Sequence, residues 1–275
     1  MVKIKPVIKW TGSKRGQSEE IISRIPKKIK TYYEPFIGGG SVMFQLLHSE
    51  IEVENIICSD LNNDLIQLWN TIKDNPQFLI DKYSLMWKEM KDLNDIDKRK
   101  AYFYSIREEF NETRSPELFL FLSRTCTNGL IRYNSSGNFN TSLHFSRDGI
   151  TPDKLEVIIN DWSKKLNERN VQFINQSYEN IQSDEGDFIY LDPPYANTKG
   201  IYYGTLDYEL FWNWIREQKG KYILSFDGKR ADVDNTYDVP KDIYSEHTYL
   251  LSGRSSFKDL KQQVVEQVYE SLYIK

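Results

Sequence analysis

The tetrapeptide Asp192-Pro193-Pro194-Tyr195 directly follows the apolar run Phe188–Leu191, and its residue types suit the gripping of an amino group. An ionised aspartate accepts hydrogen bonds but cannot donate them, and proline has no N–H, so Pro193 offers a carbonyl oxygen with no competing donor. Tyr195 adds an aromatic face on which a planar base can stack. A ligand with an exocyclic NH2 on a flat ring matches all three. A second cluster, Glu34-Pro35-Phe36-Ile37-Gly38-Gly39-Gly40, reads as a turn between a strand and a helix. There glycines let the backbone approach a ligand and the helix start offers N–H groups. Asp60 ends the next apolar run, Ile56–Asp60, at the place where an acid meets ribose hydroxyls in nucleotide-binding folds. An N-cap of the following helix accounts for Asp60 equally well. Together the clusters select a cofactor with a nucleoside and a charged amino-acid tail.

Such residues need a scaffold that brings strand ends together. Four apolar runs, Tyr32–Glu34, Ile56–Asp60, Phe188–Asp192 and Tyr222–Asp227, end at acidic residues and read as buried parallel strands. Helical patterns alternate with them at Gly16–Ile25, Ser41–Leu47, Asn63–Lys73, Pro152–Leu166 and Tyr208–Glu217. Within the last, Phe211, Trp212 and Trp214 read as packing residues. This alternation predicts an α/β, doubly wound, mostly parallel sheet with its ligand site at the strand carboxyl ends. His247–Leu251 and Val264–Tyr273 read as an antiparallel pair closing one edge. The stretch from about residue 65 to 150 breaks the rhythm with charged helices, then an apolar helix near Leu118–Ser123, then a segment rich in turn residues over Thr127–Asn140 that reads as a hairpin. The expected organisation is a catalytic unit of residues 1–65 and 151–275 around an inserted, mainly helical target-recognition domain of residues 66–150.

Composition narrows the function. With 275 residues the chain can bury one sizeable core with an insertion. Two cysteines and three scattered histidines fit neither a disulfide scaffold nor a cysteine-based zinc site, so no metal is expected. The absence of a long apolar run or signal pattern implies a cytoplasmic protein. The net charge is −4, yet the first 30 residues hold seven Lys and two Arg against Glu19 and Glu20, a local excess of +7 suited to a polyanion or phosphate surface.

The order Lys9-Trp10-Thr11-Gly12-Ser13-Lys14, Glu34–Gly40, Asp60 and Asp192–Tyr195 resembles the Dam-like DNA adenine-N6 methyltransferases, over nearly the whole chain. The resemblance implies a seven-stranded Rossmann-like methyltransferase sheet and S-adenosylmethionine as cofactor. It places Trp10, Lys14, Glu34, Phe36, Gly38, Gly40, Asp60 and Asp192 on that cofactor, and Ser177-Tyr178 where the family often has Asp-Phe beside the cofactor adenine. It makes Asp192, Pro193 and Tyr195 catalytic, acting on an adenine flipped out of double-stranded DNA. Asn128-Gly129-Leu130-Ile131-Arg132-Tyr133-Asn134 resembles the family hairpin in which the arginine contacts a guanine. Arg132 suits that role, since its planar fork matches guanine O6 and N7. Lys9 is a second expected base contact, with Asn128 and Asn134 also on the DNA, and GATC is the site implied. A bacterial or phage-encoded monomer or weak dimer is expected. Two rivals are a methyltransferase acting on an RNA or protein amide nitrogen and a DNA-binding relative without activity. The insert with its hairpin favours DNA, and intact Asp192 and Tyr195 favour catalysis.

Overall fold

A computed structural model describes residues 5–144, 146–195, 206–230, 233–254 and 267–275. Among the described residues eight strands form one sheet: β1 (Lys28–Glu34), β2 (Glu52–Asp60), β3 (Gln172–Asn175), β4 (Phe188–Leu191), β5 (Lys221–Arg230), β6 (Val233–Asp234), β7 (Glu246–Arg254) and β8 (Gln267–Ile274). Seven of them run in the order β3-β2-β1-β4-β5-β8-β7, and the two-residue β6 pairs with β5. The first five in that order are parallel, while β8 lies antiparallel to both β5 and β7. The strand order reverses between β1 and β4, and a doubly wound sheet opens its ligand crevice at such a reversal.

Eight α-helices accompany the described strands: α1 (Ser18–Ser23), α2 (Ser41–Leu47), α3 (Asn63–Asp74), α4 (Pro76–Asp92), α5 (Ile96–Thr113), α6 (Pro116–Thr125), α7 (Pro152–Glu168) and α8 (Tyr208–Glu217). Period-two alternation shows that both sheet faces are covered. On β4, Phe188 and Tyr190 join one core with Ile21 of α1, Phe44 of α2, Trp69 of α3 and Trp162 of α7. Their neighbours Ile189 and Leu191 point the other way, into a second core with Phe211, Trp212 and Trp214 of α8. The aromatic triplet therefore packs, as its helical spacing predicts. Phe103, Phe110, Phe119 and Phe121 of the segment 66–150 belong to the same core as Trp69 and Trp162. Each fully buried ring contributes roughly 1.5–3 kcal/mol relative to exposure, so this segment is anchored through α3 and α7 rather than hinged beside them.

Several expectations are adjusted. Helix α1 is shorter than Gly16–Ile25, because Gln17 and Ser18 N–H groups bond to Lys14 O in a preceding turn. Strand β3 escapes sequence reading because only Phe173 of its four residues is buried. Strand β5 continues past Asp227 to Arg230 through an irregularity between Phe226 and Lys229. The hairpin is a loop joined by two isolated bridges, Cys126 to Leu143 and Tyr133 to Phe139, and its polar, glycine-containing sequence sustains no longer ladder. Residues 264–266 of the last expected strand lie outside the described residues. No described helix is long and apolar enough to cross a membrane.

Candidate active site

The carboxyl ends of β1, β2 and β4 converge on one cavity, lined by Trp10 and Lys14, by Glu34, Phe36 and the turn Gly38–Gly40, by Asp60, by Ser177 and Tyr178, and by Asp192 and Pro193. The N-terminal segment reaches it because Trp162 donates its indole N–H to Lys5 O (2.9 Å) and Arg124 donates to Pro6 O (3.1 Å). Trp10 then lies against the glycine turn. A Cβ on Gly38 would stand 2.7 Å from Trp10 Nε1, and Gly38 has φ +45°, so only glycine fits there. Trp69 Nε1–H donates to Gly38 O (3.1 Å), fixing the turn from below, and Ser13 Oγ meets Ser41 Oγ at 2.6 Å, tying the N-terminal segment to α2.

Each of the three carboxyl groups has its own support. Asp60 accepts the Gly38 N–H (3.3 Å) on one oxygen and the Asn62 N–H (3.0 Å) on the other. The N-cap of α3 is Asn62, whose side chain accepts from Leu65 N, so Asp60 braces the glycine turn rather than the helix. Burial pushes Asp60 up to about 6 against the pull of those N–H groups. Glu34 is deeper: Tyr32 donates to its Oε2 at 2.7 Å, and burial, reinforced by the charge of Asp192, pushes it up to about 8. Asp192 is held at its Oδ1 by Lys14 Nζ (2.7 Å) and by the Tyr195 hydroxyl (3.3 Å). Burial raises it to about 6, Lys14 opposes the rise and Glu270 adds to it. Tyr208 donates to Pro194 O (3.2 Å), whereas no described residue donates to Pro193 O. Three carboxyls around a cavity with a flat Trp10 wall favour a cationic ligand that also carries a planar group. Among the described residues no cluster of His, Cys, Asp and Glu could hold a metal ion.

A family profile for D12 class N6 adenine-specific DNA methyltransferases matches residues 10–264. The chain belongs to this family. It is 35% identical over 208 residues to the type II methyltransferase M.MjaIII of Methanocaldococcus jannaschii, covering 70% of each chain. It is 34% identical over 203 residues to the DNA adenine methylase of Serratia marcescens, covering 71% of this chain and 68% of that one. A type II methyltransferase of Paramecium bursaria Chlorella virus NC1A, M.CviBI, is 27% identical over 233 residues, covering 80% of this chain and 82% of the relative.

In this D12 methyltransferase the loop 126–144 stands beside the cavity, to which Ile131 and Tyr133 contribute walls. Tyr133 donates to Asp64 Oδ2 (2.7 Å), and Asp64 in turn pairs with Arg114 (3.3 Å). Arg114 Nη2 reaches Gly137 O (2.8 Å) and Asn138 Oδ1 (3.2 Å) at the tip. The loop is thereby tied to α3, which follows Asp60. Arg132 is exposed, with its Nε bonded to Asn140 Oδ1 (2.8 Å). Asn134 spends its side-chain oxygen on the Ser136 and Asn138 N–H groups, shaping the turn. Asn128 has φ +56°, and a Cβ on the next residue, Gly129, would stand 2.4 Å from Lys9 Cβ. Lys9 is thus pressed against the loop. Its ammonium is held below the usual lysine range by burial and by the cations Arg124 and Arg147, which marks a basic rim above an acidic cavity.

The structure therefore brings Trp10, Lys14, Glu34, Phe36, Gly38, Gly40, Asp60, Ser177, Tyr178, Asp192 and Pro193 to one cavity, with Tyr195 bonded to Asp192 at its edge. It places Lys9, Asn128, Arg132 and Asn134 on the neighbouring loop and segment. Ser177 lines the cavity, but its hydroxyl accepts from Glu179 N (3.3 Å) as the cap of a short 3-10 turn. Tyr178 is largely packed against Phe36, Phe211 and Trp214, leaving little of its ring toward a ligand. Sequence reading missed Tyr133, Asp64 and Arg114 as a loop anchor, Arg147 in the basic rim, and Glu270 beside Lys14. These pairs are separated by 50 residues or more in the chain, as with Arg114 and Asp64, so no local spacing announces them.

Proposed function

We propose that this D12 enzyme uses S-adenosylmethionine to methylate N6 of an adenine flipped out of a short double-stranded DNA site, with GATC the first site to test. The single observation that carries the reading is the convergence of Asp192 and Pro193, with Tyr195 bonded to Asp192 at the edge, and of the Gly38 turn and Asp60 on one cavity at the reversal of strand order. The cofactor fits the residues present. Trp10, packed against the Gly38 turn, gives the cavity a flat wall, Asp60 would receive ribose hydroxyls, and the Glu34 carboxyl would face the ammonium of the amino-acid part. When bound there, S-adenosylmethionine supplies a methyl group on a positively charged sulfur, open to in-line attack by a nitrogen lone pair.

The protein's own residues then have a defined task. The lone pair of adenine N6 is delocalised into the ring, so it must be localised and aimed. The Asp192 carboxylate and the Pro193 carbonyl would accept the two N6–H bonds, drawing the nitrogen toward a tetrahedral shape and stabilising the positive charge that develops on it. Tyr195 would hold the base by stacking, at about 1–3 kcal/mol per base. Flipping the base costs a few kcal/mol, which the basic rim of Lys9 and Arg147 and the Arg132 loop would offset through backbone and base contacts. Arg132 would read a guanine edge. Expression in a host free of DNA methylation, followed by long-read mapping of modified bases, tests the reading. N6-methyladenine at one short motif supports it; absence of modified adenine, or methylation found only in RNA, overturns it.

A further inference from the structure

Two of the three groups assigned to the target base, Asp192 and Tyr195, face one cation. The Lys14 ammonium lies 2.7 Å from Asp192 Oδ1 and 5.0 Å from the centre of the Tyr195 ring. Its side chain is only 4% exposed, so it cannot simply swing into water when a base arrives. A neutral amine competes poorly with an ammonium for a buried carboxylate, because the ammonium carries a full charge and shorter, stronger hydrogen bonds. Lys14 Nζ also donates to Gly12 O (3.0 Å), but a neutral carbonyl replaces a carboxylate poorly, so displacement is eased by a second carboxylate nearby.

Glu270, on β8, is such a carboxylate. Its Oε2 is 3.6 Å from Lys14 Nζ, beyond hydrogen-bond distance, and this buried oxygen has no hydrogen-bond donor among the described residues. Its other oxygen accepts from Ser252 Oγ of β7 at 3.1 Å, which fixes the carboxylate in place. The strand itself is pinned close: a Cβ on Gly228 of β5 would stand 2.3 Å from Tyr269 O and 2.9 Å from the Glu270 carbonyl carbon. A rigid, under-used carboxylate oxygen therefore faces an ammonium engaged elsewhere. A shift of about 0.8 Å would bring the pair to the distance of a charge-assisted hydrogen bond. Resting on the clamp reading above, we propose that Glu270 is a positioning residue that takes the Lys14 ammonium from Asp192 when the target base enters. Asp192 Oδ1 then exchanges a lysine N–H for the N6–H, while the ammonium stays within ion-pair reach of the carboxylate. With the lysine hydrogen bond moved to Glu270, Asp192 is left to accept from N6 and to stabilise the positive charge developing on it.

The groups facing Asp192 are Lys14, Glu270 of β8, Glu34 of β1, and Tyr190 and Tyr195 of its own segment. Of these, Glu270 raises the carboxyl by repulsion, so Glu270→Gln shifts the acidic limb of the rate profile to lower pH. The test is single-turnover methyl transfer by the full chain at saturating cofactor and DNA, across pH, for wild type, Glu270→Gln and Glu270→Asp. The expected result is at least a tenfold rate loss in Glu270→Gln, with unchanged cofactor affinity and the acidic limb displaced downward. Glu270→Asp keeps the charge but lengthens the gap, so its rate falls severalfold and its limb stays in place. A wild-type rate in Glu270→Gln, or a loss with an unmoved limb, overturns the inference. If Glu270→Gln does not fold, Glu270→Asp alone decides, and a wild-type rate there overturns it. An inactive Asp192→Ala beside a fully active Glu270→Gln rejects the role of Glu270 alone, whereas an active Asp192→Ala rejects the clamp itself.

Discussion

At the carboxyl edge of the sheet, Glu34 is buried, Asp60 and Asp192 are half-buried, and the three are held by strand ends, backbone N–H groups and Lys14. Across the cavity, the loop carrying Arg132 is joined by two isolated bridges and presents that side chain to solvent. The contrast separates two demands on one enzyme. Charges that act on a reacting atom must be in place before the substrate arrives, since preorganisation is what makes them effective. Side chains that read a base edge can hang from a loop, provided that the loop has a firm root. Here the root is the contact of Tyr133 with Asp64 and of Arg114 with the loop tip.

Substitutions sharpen the contrast by damaging one region while sparing the other. The largest effect short of removing Asp192 is expected from Gly38→Ala, whose Cβ would meet Trp10 at 2.7 Å in a backbone with φ +45°. Strain of this kind costs roughly 1–3 kcal/mol, so calorimetric cofactor affinity should fall about tenfold or more. Unchanged affinity would show that the turn does not shape the cofactor cleft. Next comes Arg132→Ala, expected to relax discrimination at one base position by about 1–3 kcal/mol while leaving the saturated methyl-transfer rate within a few-fold. Competition among single-base variants of the mapped site measures this, and an unaltered preference would remove Arg132 from base reading.

Tyr133→Phe should act at the root of the loop. It strips one hydrogen bond from Asp64, a residue only 8% exposed, and about 1 kcal/mol of stability should go with it, read as a shifted denaturant midpoint. DNA affinity should fall along with it; a stable variant with intact DNA binding would show that the loop does not depend on this anchor. The last test concerns pH. Glu34 holds its proton to about 8 in the fold, whereas an unfolded chain releases it in the ordinary glutamate range, so the native state binds the extra proton between those limits. Stability from this site therefore falls as pH rises through that window. Glu34→Gln resembles the protonated form at every pH, so its Tm relative to wild type should climb from pH 5 to 8. A constant difference would contradict the burial argument.

The strand-end carboxylates were legible in the sequence because each follows an apolar run that can only be a buried strand, and strand order then forces them together. Asp192–Tyr195, Glu34 and Asp60 needed no long-range information beyond that rule. Strand β3 was not legible, since a short edge strand with one buried residue leaves no periodic trace. The same holds for Ser177-Tyr178: sequence position puts them at the cavity, but local capping and aromatic packing decide how much of them a ligand meets. Glu270 was invisible for a different reason, since its proximity to Lys14 depends on the antiparallel return of β8, a contact across more than 250 residues of chain.

The central claim is that Asp192 grips the amino group that receives the methyl. Single-turnover methyl transfer to DNA at saturating cofactor, comparing wild type with Asp192→Ala, tests it most directly. A rate loss of about a thousandfold, with DNA still bound, is the outcome the clamp predicts, in line with the cost of removing one preorganised transition-state partner. Transfer within tenfold of wild type would contradict it.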